Sequence, residues 1–405
     1  MSAQNVVYLD NNATTRVAPE VLQAMLPFFS ERYGNPSSMH SFGGSVGREL
    51  KEARESLADL LGAGPDEIVF TSCGTESDNT AIRSALTAQP EKRHIITTRV
   101  EHPAVLSLCK FLERSQGYRV TYLGVNAEGQ LDMQELEDSL TDDTAVISVM
   151  WANNETGVLF PVPQIATLAK SRGVFMHTDA VQAVGKVPIN LGELDVDMLS
   201  LSGHKLHAPK GVGALYVRRK LPYRPYLIGG HQEHGKRAGT ENTTGIIALG
   251  AAARAAKAHL PSENTVVRAL RDRLENALLA AVSDSRLNGH TTERLPNTSN
   301  ISFKYIEGEA ILLLLDQLGI AASSGSACTS GSLEPSHVLR AMGVPFTYAH
   351  GSIRFSLSRY TTDADVDYVI KNVPGIIETL RKISPYKQGT LDPLSPLDSK
   401  RECGS

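Results

Sequence analysis

The sequence predicts an α/β chain in which a largely parallel sheet is wound with helices and followed by a smaller α+β part. Three observations lead there. From residue 68 to Lys205, short apolar runs ending in polar residues alternate with stretches of helical spacing, as in successive βα units. The pattern changes near Leu260, where an alanine-rich helical stretch, 246–259, meets Pro261-Ser-Glu-Asn and then a long charged helix, 266–282. A domain boundary is placed there. At 405 residues the chain can also bury a core large enough to divide in two.

Residues 6–9 read as a short strand, and Asp10-Asn-Asn-Ala-Thr-Thr15 as a small polar turn suited to lining a cleft. Helical spacing follows over 21–29. Gly34-Asn-Pro-Ser-Ser-Met-His40 breaks it, and an amphipathic helix resumes over 46–61. Ile68-Val-Phe-Thr-Ser-Cys-Gly-Thr-Glu-Ser-Asp-Asn79 then reads as strand, turn and helix. Its Gly74 and Thr75 present N–H groups and a hydroxyl at a helix N-terminus, a place for a phosphate or simply a helix cap. Neither G-x-G-x-x-G nor a Walker sequence is present, which argues against dinucleotides and nucleoside triphosphates.

The next strand delivers Glu101 and His102 to a turn that Pro103 closes by opening a helix. His102 has two readings, a helix cap or a ring that stacks on an aromatic cofactor and exchanges protons. A buried strand over 145–150 ends in Trp151-Ala-Asn-Asn-Glu-Thr-Gly157, and amides just after a strand are common ligand contacts in α/β proteins. A helix over 162–171 leads to a strand with Asp179 at its carboxyl end. That acid either caps a helix or keeps a pyridinium nitrogen protonated, making the ring an electron sink.

The whole is organised around 197–213, where an apolar run gives way to Ser202-Gly-His-Lys205. A lysine at such a strand end is either a solvated loop residue or a cleft-floor amine. Desolvation and a neighbouring cation would depress its pKa and suit it to Schiff-base chemistry. Beyond it, His231 and His234 occupy a polar loop, but without H-E-x-x-H or a nearby cysteine a metal is not expected.

The remainder reads as strand 298–303, helix 308–318, strand 320–322, a loop, a helix and strand 352–357. Cys328 lies in a run of small polar residues, 323–332, and reads as an accessible nucleophile on a mobile loop. Arg354 sits on the polar face of its strand, to clamp a carboxylate or to form a structural salt bridge. Residues 384–405, with Cys403, read as a loosely ordered tail.

A formal charge of -4 gives no general attraction to nucleic acid or anionic lipid. No apolar run approaches the ~20 residues of a membrane span, and the first residues lack signal-peptide character, so a cytoplasmic protein is expected. Cys73, Cys109, Cys328 and Cys403 are far apart, which argues against a zinc knuckle or a disulfide framework.

Taken together, Thr71-Ser-Cys-Gly-Thr-Glu-Ser, Glu101-His, Asn153-Asn-Glu-Thr-Gly, His177-Thr-Asp-Ala-Val-Gln, Ser202-Gly-His-Lys, Ala238-Gly-Thr-Glu-Asn and Ser323-Ser-Gly-Ser-Ala-Cys-Thr-Ser resemble the cysteine desulfurases. These form the NifS/IscS family, in the class V aminotransferase branch of the pyridoxal-phosphate fold type I superfamily. The resemblance runs from Tyr8 to residue 386, and the cysteine stretch is similar to the longer loop of group I. The wording around Trp151 and His177 is closest to the nitrogen-fixation branch. One departure is Ala238, where serine is more familiar.

The resemblance implies a large domain, 16–260, with a mostly parallel seven-stranded sheet flanked by helices. It also implies a smaller α+β domain from 1–15 and 261–383 that carries the catalytic cysteine. It makes Lys205 the Schiff-base lysine and proton carrier, with His102 stacked on pyridoxal phosphate and Asp179 on its ring nitrogen. Asn154 and Gln182 would contact the ring oxygen, Asn154 also facing the substrate. Gly74, Thr75, Ser202 and His204, with Thr240 from the second copy of a homodimer, would hold the phosphate. Arg354 would grip the carboxylate of L-cysteine. Cys328 would take the sulfur as a persulfide, leaving alanine, and pass it to an iron–sulfur scaffold of the NifU or IscU type for nitrogenase maturation. No resident metal is implied, only transient contact of Cys328 with a cluster. A selenocysteine lyase, a cysteine sulfinate-type β-eliminase and a general sulfur donor are the alternatives.

Overall fold

The computed structural model describes residues 6–324 and 335–385. Cys328, Cys403 and the tail beyond residue 385 lie outside them. Twelve strands are numbered in chain order among the described residues. β1 is Val7–Tyr8, and β2 Ile68–Thr71, β3 His94–Thr98, β4 Arg119–Leu123, β5 Thr144–Ser148, β6 Phe175–Asp179, β7 Met198–Ser202 and β8 Gly213–Val217 form one sheet. β9 Ser285–Leu287, β10 Thr298–Phe303, β11 Ile320–Ala321 and β12 Ser352–Ser356 follow.

The seven-stranded sheet has the order β2-β8-β7-β6-β5-β3-β4. β8 pairs antiparallel with both its neighbours and the other pairings are parallel, so six strands run one way. Alternate residues along each strand feed opposite faces. Val69, Ile95, Val146 and Met198 join one core with Ile82 and Val105 of the helices Gly74–Ala88 and Pro103–Gln116. Phe70, Ile96, Ile147 and Leu199 join another with Val46, Ile165 and Leu249 of the helices Ser41–Leu61, Val162–Ser171 and Thr243–Ser262. Strands covered on both faces are buried almost throughout, which is why the apolar parts of their sequences read as runs rather than as alternation.

A third core gathers the antiparallel sheet β12-β10-β9, the parallel pair β1-β11 and the helices Arg268–Ala281, Gly308–Gln317 and Asp363–Ile383. Val7 and Leu9 belong to it, so the chain starts in this core. It then crosses to the Lys205 segment, where the Thr15 N–H donates to His204 O at 3.0 Å.

Two helices differ from expectation. The one expected to begin at residue 46 begins at Ser41, because His40 Nδ1 accepts from Gly43 N at 3.1 Å and caps it earlier. Gly43 is tolerated there because any Cβ would lie 2.2 Å from Asn35 O. The break expected at Pro261 does not occur. Thr243–Ser262 runs on through a π-helical turn, Glu263–Val267, into Arg268–Ala281. Past the proline the backbone widens into the π turn, and Asn264 Nδ2 donates to Leu260 O at 3.0 Å.

Candidate active site

The carboxyl ends of β2, β3, β5, β6 and β7 open on one cavity of about 440 Å3, at the edge where doubly wound sheets bind ligands. At one end of it the helix Gly74–Ala88 starts. Its N-cap, Cys73, makes no side-chain cap bond, so the first turn keeps its N–H groups for something else. Gly74 and Thr75 line the cavity there, as does Ser202, whose buried Oγ has no partner among the described residues. A helix N-terminus and an unpaired hydroxyl together fit a phosphate. A side chain at Gly74 would close this corner, since a Cβ would meet Val181 Cγ2 at 2.8 Å.

Lys205 forms the floor, donating to Ala13 O at 2.7 Å and to Asn12 O. Burial draws its pKa down to about 7, and the Lys186 and Arg354 cations push the same way. The expectation drawn from strand, turn and cation is therefore met at this residue. His204 beside it shares a hydrogen with Thr14 Oγ1 at 3.1 Å, and burial lowers it to about 4, which leaves the ring neutral.

The helix-cap reading of His102 holds, and its ring is also placed in the cavity. Its Nδ1 accepts from Ala104 N at 3.1 Å, capping the helix Pro103–Gln116, while the ring lines the cavity and burial lowers its pKa. With Nδ1 accepting, the proton belongs on Nε2. Asp179 is similar, with Oδ1 taking the Val181 N–H at 2.9 Å from a position in the cavity wall. Burial raises its pKa against the opposing pull of His102, the Val181 N–H and Lys205, and a pyridinium beside it would add to that pull.

The two neighbouring asparagines separate cleanly. Asn153 is a buried brace whose Nδ2 donates to Val100 O at 3.0 Å and whose Oδ1 accepts from Glu155 N and Thr156 N at 2.9 and 3.0 Å. Asn154 lines the cavity. Gln182 also lines it, spending one amide hydrogen on Asn12 O at 3.0 Å and keeping the second.

Arg354 reaches the cavity from β12 and is 2% exposed. Its guanidinium donates to Asn154 O at 2.9 Å and to Asp10 Oδ1 at 2.8 Å, and its Nε has no partner among the described residues. The structural ion pair is thus present, with donors to spare for a carboxylate. Cys328 is not described, but its flanks are. Ser323 bridges to Arg354, and Pro335, Ser336 and His337 line the cavity.

Thr240 is exposed and does not line the cavity of its own chain. Its loop is pinned to the phosphate corner by Arg237, whose Nε lies 2.8 Å from Glu76 Oε1. His231 and His234 are exposed, and no group of three or more metal-ligating side chains assembles among the described residues.

Sequence reasoning placed the turn 10–15 at a cleft but did not foresee that its Asn12 and Ala13 hold Lys205, and it gave no role to the pair Ser336 and Glu155, which also line the cavity. Ser336 was findable, since Pro335-Ser-His is a helix-start pattern and Ser336 caps the helix His337–Ala341. Asn12 and Ala13 act through backbone carbonyls, which carry no sequence signal.

Residues 7–369 match the Aminotransferase class-V family. The chain is 64% identical over 384 residues to the cysteine desulfurase NifS of Azotobacter vinelandii, covering 95% of each. A solved structure described as a NifS-like protein is 40% identical with a TM-score of 0.87, over 93% of this chain and all of that one. A solved structure of SspA in complex with cysteine is 38% identical with a TM-score of 0.77, over 88% of this chain and 99% of the other.

Proposed function

This chain belongs to the class-V aminotransferase family and is a pyridoxal-phosphate-dependent cysteine desulfurase, and on that premise we propose how its residues divide the work. The single observation that carries the assignment is the cavity itself, where an open helix N-terminus, the unpartnered Ser202 Oγ and the half-depressed Lys205 amine meet.

Gly74, Thr75, Ser202 and His204 would hold the cofactor phosphate, His102 its ring, Asp179 its nitrogen, and Asn154 and Gln182 its oxygen. When bound, the cofactor supplies the electron sink that acidifies the substrate Cα–H. Arg354 orients the L-cysteine carboxylate, aided by Asn154. Lys205, near neutrality in its amine, takes the Cα proton and returns it. The Cys328 thiolate attacks the substrate sulfur, the Cβ–S bond breaks, and Cβ takes a proton. Alanine leaves, and the sulfur stays on Cys328 as a persulfide.

A homodimer is supported by exposed apolar side chains, Phe29, Tyr33, Met39 and Phe42 on one segment and Tyr226, Leu227 and Ile228 on another. It would also bring Thr240 to the phosphate of the second copy. The tertiary cores support a large domain over 16–260 and a small one from 1–15 and 261–383 for most residues, while Leu295, Val338, Leu339, Met342, Val344 and Ala349 of the latter range pack into the large core. The NifS name of the Azotobacter relative supports sulfur delivery to a NifU- or IscU-type scaffold for nitrogenase maturation, with Cys328 meeting a cluster only in passing. No helix among the described residues is long and apolar enough to cross a membrane, and a cytoplasmic setting is part of the proposal.

The test is alanine formation from L-cysteine by the parent and by Cys328→Ala under reducing conditions. Loss of activity in the variant, with the yellow colour of bound cofactor retained, supports the persulfide route. Equal alanine formation would mean that Cys328 is not the sulfur acceptor, and pyruvate with free sulfide in place of alanine would mark β-elimination.

A further inference from the structure

Behind Lys205 lies a second chamber of about 30 Å3, with room for about two waters. Lys186, His207, His259, Glu263 and Arg359 are in its wall. Among the described residues, Lys205 alone lines both this chamber and the main cavity. His259 and Arg359 also line a surface cleft with Glu20 and Ser262, and His259 is exposed. A set of polar groups distinct from the main cavity lining therefore leads from Lys205 to solvent.

Two features of the chamber exceed what packing needs. Glu263 is only 7% exposed, and its Oε2 has no partner among the described residues. A buried carboxylate oxygen left unpaired is costly, so one bordering a polar chamber calls for water. The backbone that delivers it is also unusual, since Glu263–Val267 is the π-helical turn that follows Pro261. Such turns cluster at functional positions. Asn264 fastens it, donating to Lys186 O at 2.8 Å. Lys186 itself is 7% exposed and reaches toward the main cavity, donating to Gln182 Oε1 at 3.0 Å.

We infer that this chamber is a proton path between Lys205 and solvent, with Glu263 as its relay and His259 as its outlet. It rests on the reading of Lys205 as the base. A proton taken from the substrate Cα onto Lys205 Nζ crosses chamber water to the Glu263 carboxylate and leaves at His259. A solvent proton returns over the same groups, so no electrons move and no net proton is gained. Proton affinities along the path are matched, because burial lowers Lys205 to about 7 and Lys186 to about 8 and raises Glu263 to about 7. Matched groups exchange a proton at little cost.

The test uses L-cysteine deuterated at Cα, turned over by the cofactor-loaded enzyme in ordinary water, with deuterium at Cα of the alanine read by mass spectrometry. The parent is expected to wash the label out. Glu263→Gln keeps the shape but cannot ionise, and label retention should rise several-fold. Ala256→Leu fills the chamber without altering a titratable group and should do the same. Mere loosening of the structure, or slower turnover, gives solvent more access or time and lowers retention, so neither imitates the effect. Parental or lower retention in both variants overturns the path. Failure of the underlying reading looks different, as alanine formation that survives Lys205→Ala.

Discussion

The part of the cavity built on the seven-stranded sheet and the part built on β12 and its neighbours are made on different principles. On the sheet side, three central groups are held by backbone. Lys205 is held by the Asn12 and Ala13 carbonyls, His102 by Ala104 N–H and Asp179 by Val181 N–H. On the other side, polar side chains hold one another. Arg354 is paired with Asp10, and Ser336 with Glu155. A group fixed by backbone is preorganised for a permanent guest, whereas a group fixed by another side chain can change partner when a transient one arrives. On the proposed division of roles, the difference is the one expected between a cofactor grip and a substrate grip.

The largest effect should come from the floor. Lys205→Ala removes the proton carrier and should lower alanine formation by about 10^3-fold or more, with little change in thermal unfolding. A drop in melting temperature as large as that of a core variant would make Lys205 a structural cation instead. Next in size is the contrast between two adjacent amides. Asn153→Ala strands Val100 O and two buried N–H groups, and should cost roughly 3 kcal/mol of stability. Asn154→Ala should leave stability nearly unchanged and act on turnover. Denaturant titrations of both variants check this, and equal midpoints would erase the distinction.

On the exchanging side, Arg354→Lys keeps the charge but loses the fork. It should lower kcat/KM for L-cysteine by roughly 10- to 100-fold, the worth of one charge-assisted hydrogen bond. The loss should fall mainly in KM. An effect confined to kcat would mean that Arg354 acts on the chemistry rather than on the carboxylate.

The same contrast explains what was legible in the sequence. The sheet side could be read because each strand ends abruptly, and Lys205, Asp179 and His102 stand at those ends. The resemblance added roles that periodicity cannot supply. Asp10 and Arg354 are 344 positions apart and meet only because β1 and β12 share the third core, so no local pattern predicts their pairing. The unbroken passage through Pro261 was illegible for a different reason. The turn after it is anchored by Asn264, which bonds Leu260 O locally and Lys186 O across the fold, and only the local sequence, where proline reads as a stop, is visible beforehand.

The smallest expected effect lies under the sheet side, and it tests whether that floor is rigid because it is dry. His177 on β6 is fully buried between Ser148 Oγ at 2.8 Å and Ser200 Oγ at 2.9 Å, and burial lowers its pKa to about 3. A histidine harder to protonate when folded than when unfolded gives stability that is complete above about pH 6.5 and declines as pH falls toward 3. From this residue alone the loss should be roughly 2 kcal/mol at pH 5. Urea midpoints between pH 7 and 5 measure it, and His177→Gln should flatten that part of the slope. If the variant kept the full slope, the ring would be reached by water in the native state. The floor would then owe its order to the backbone bonds alone.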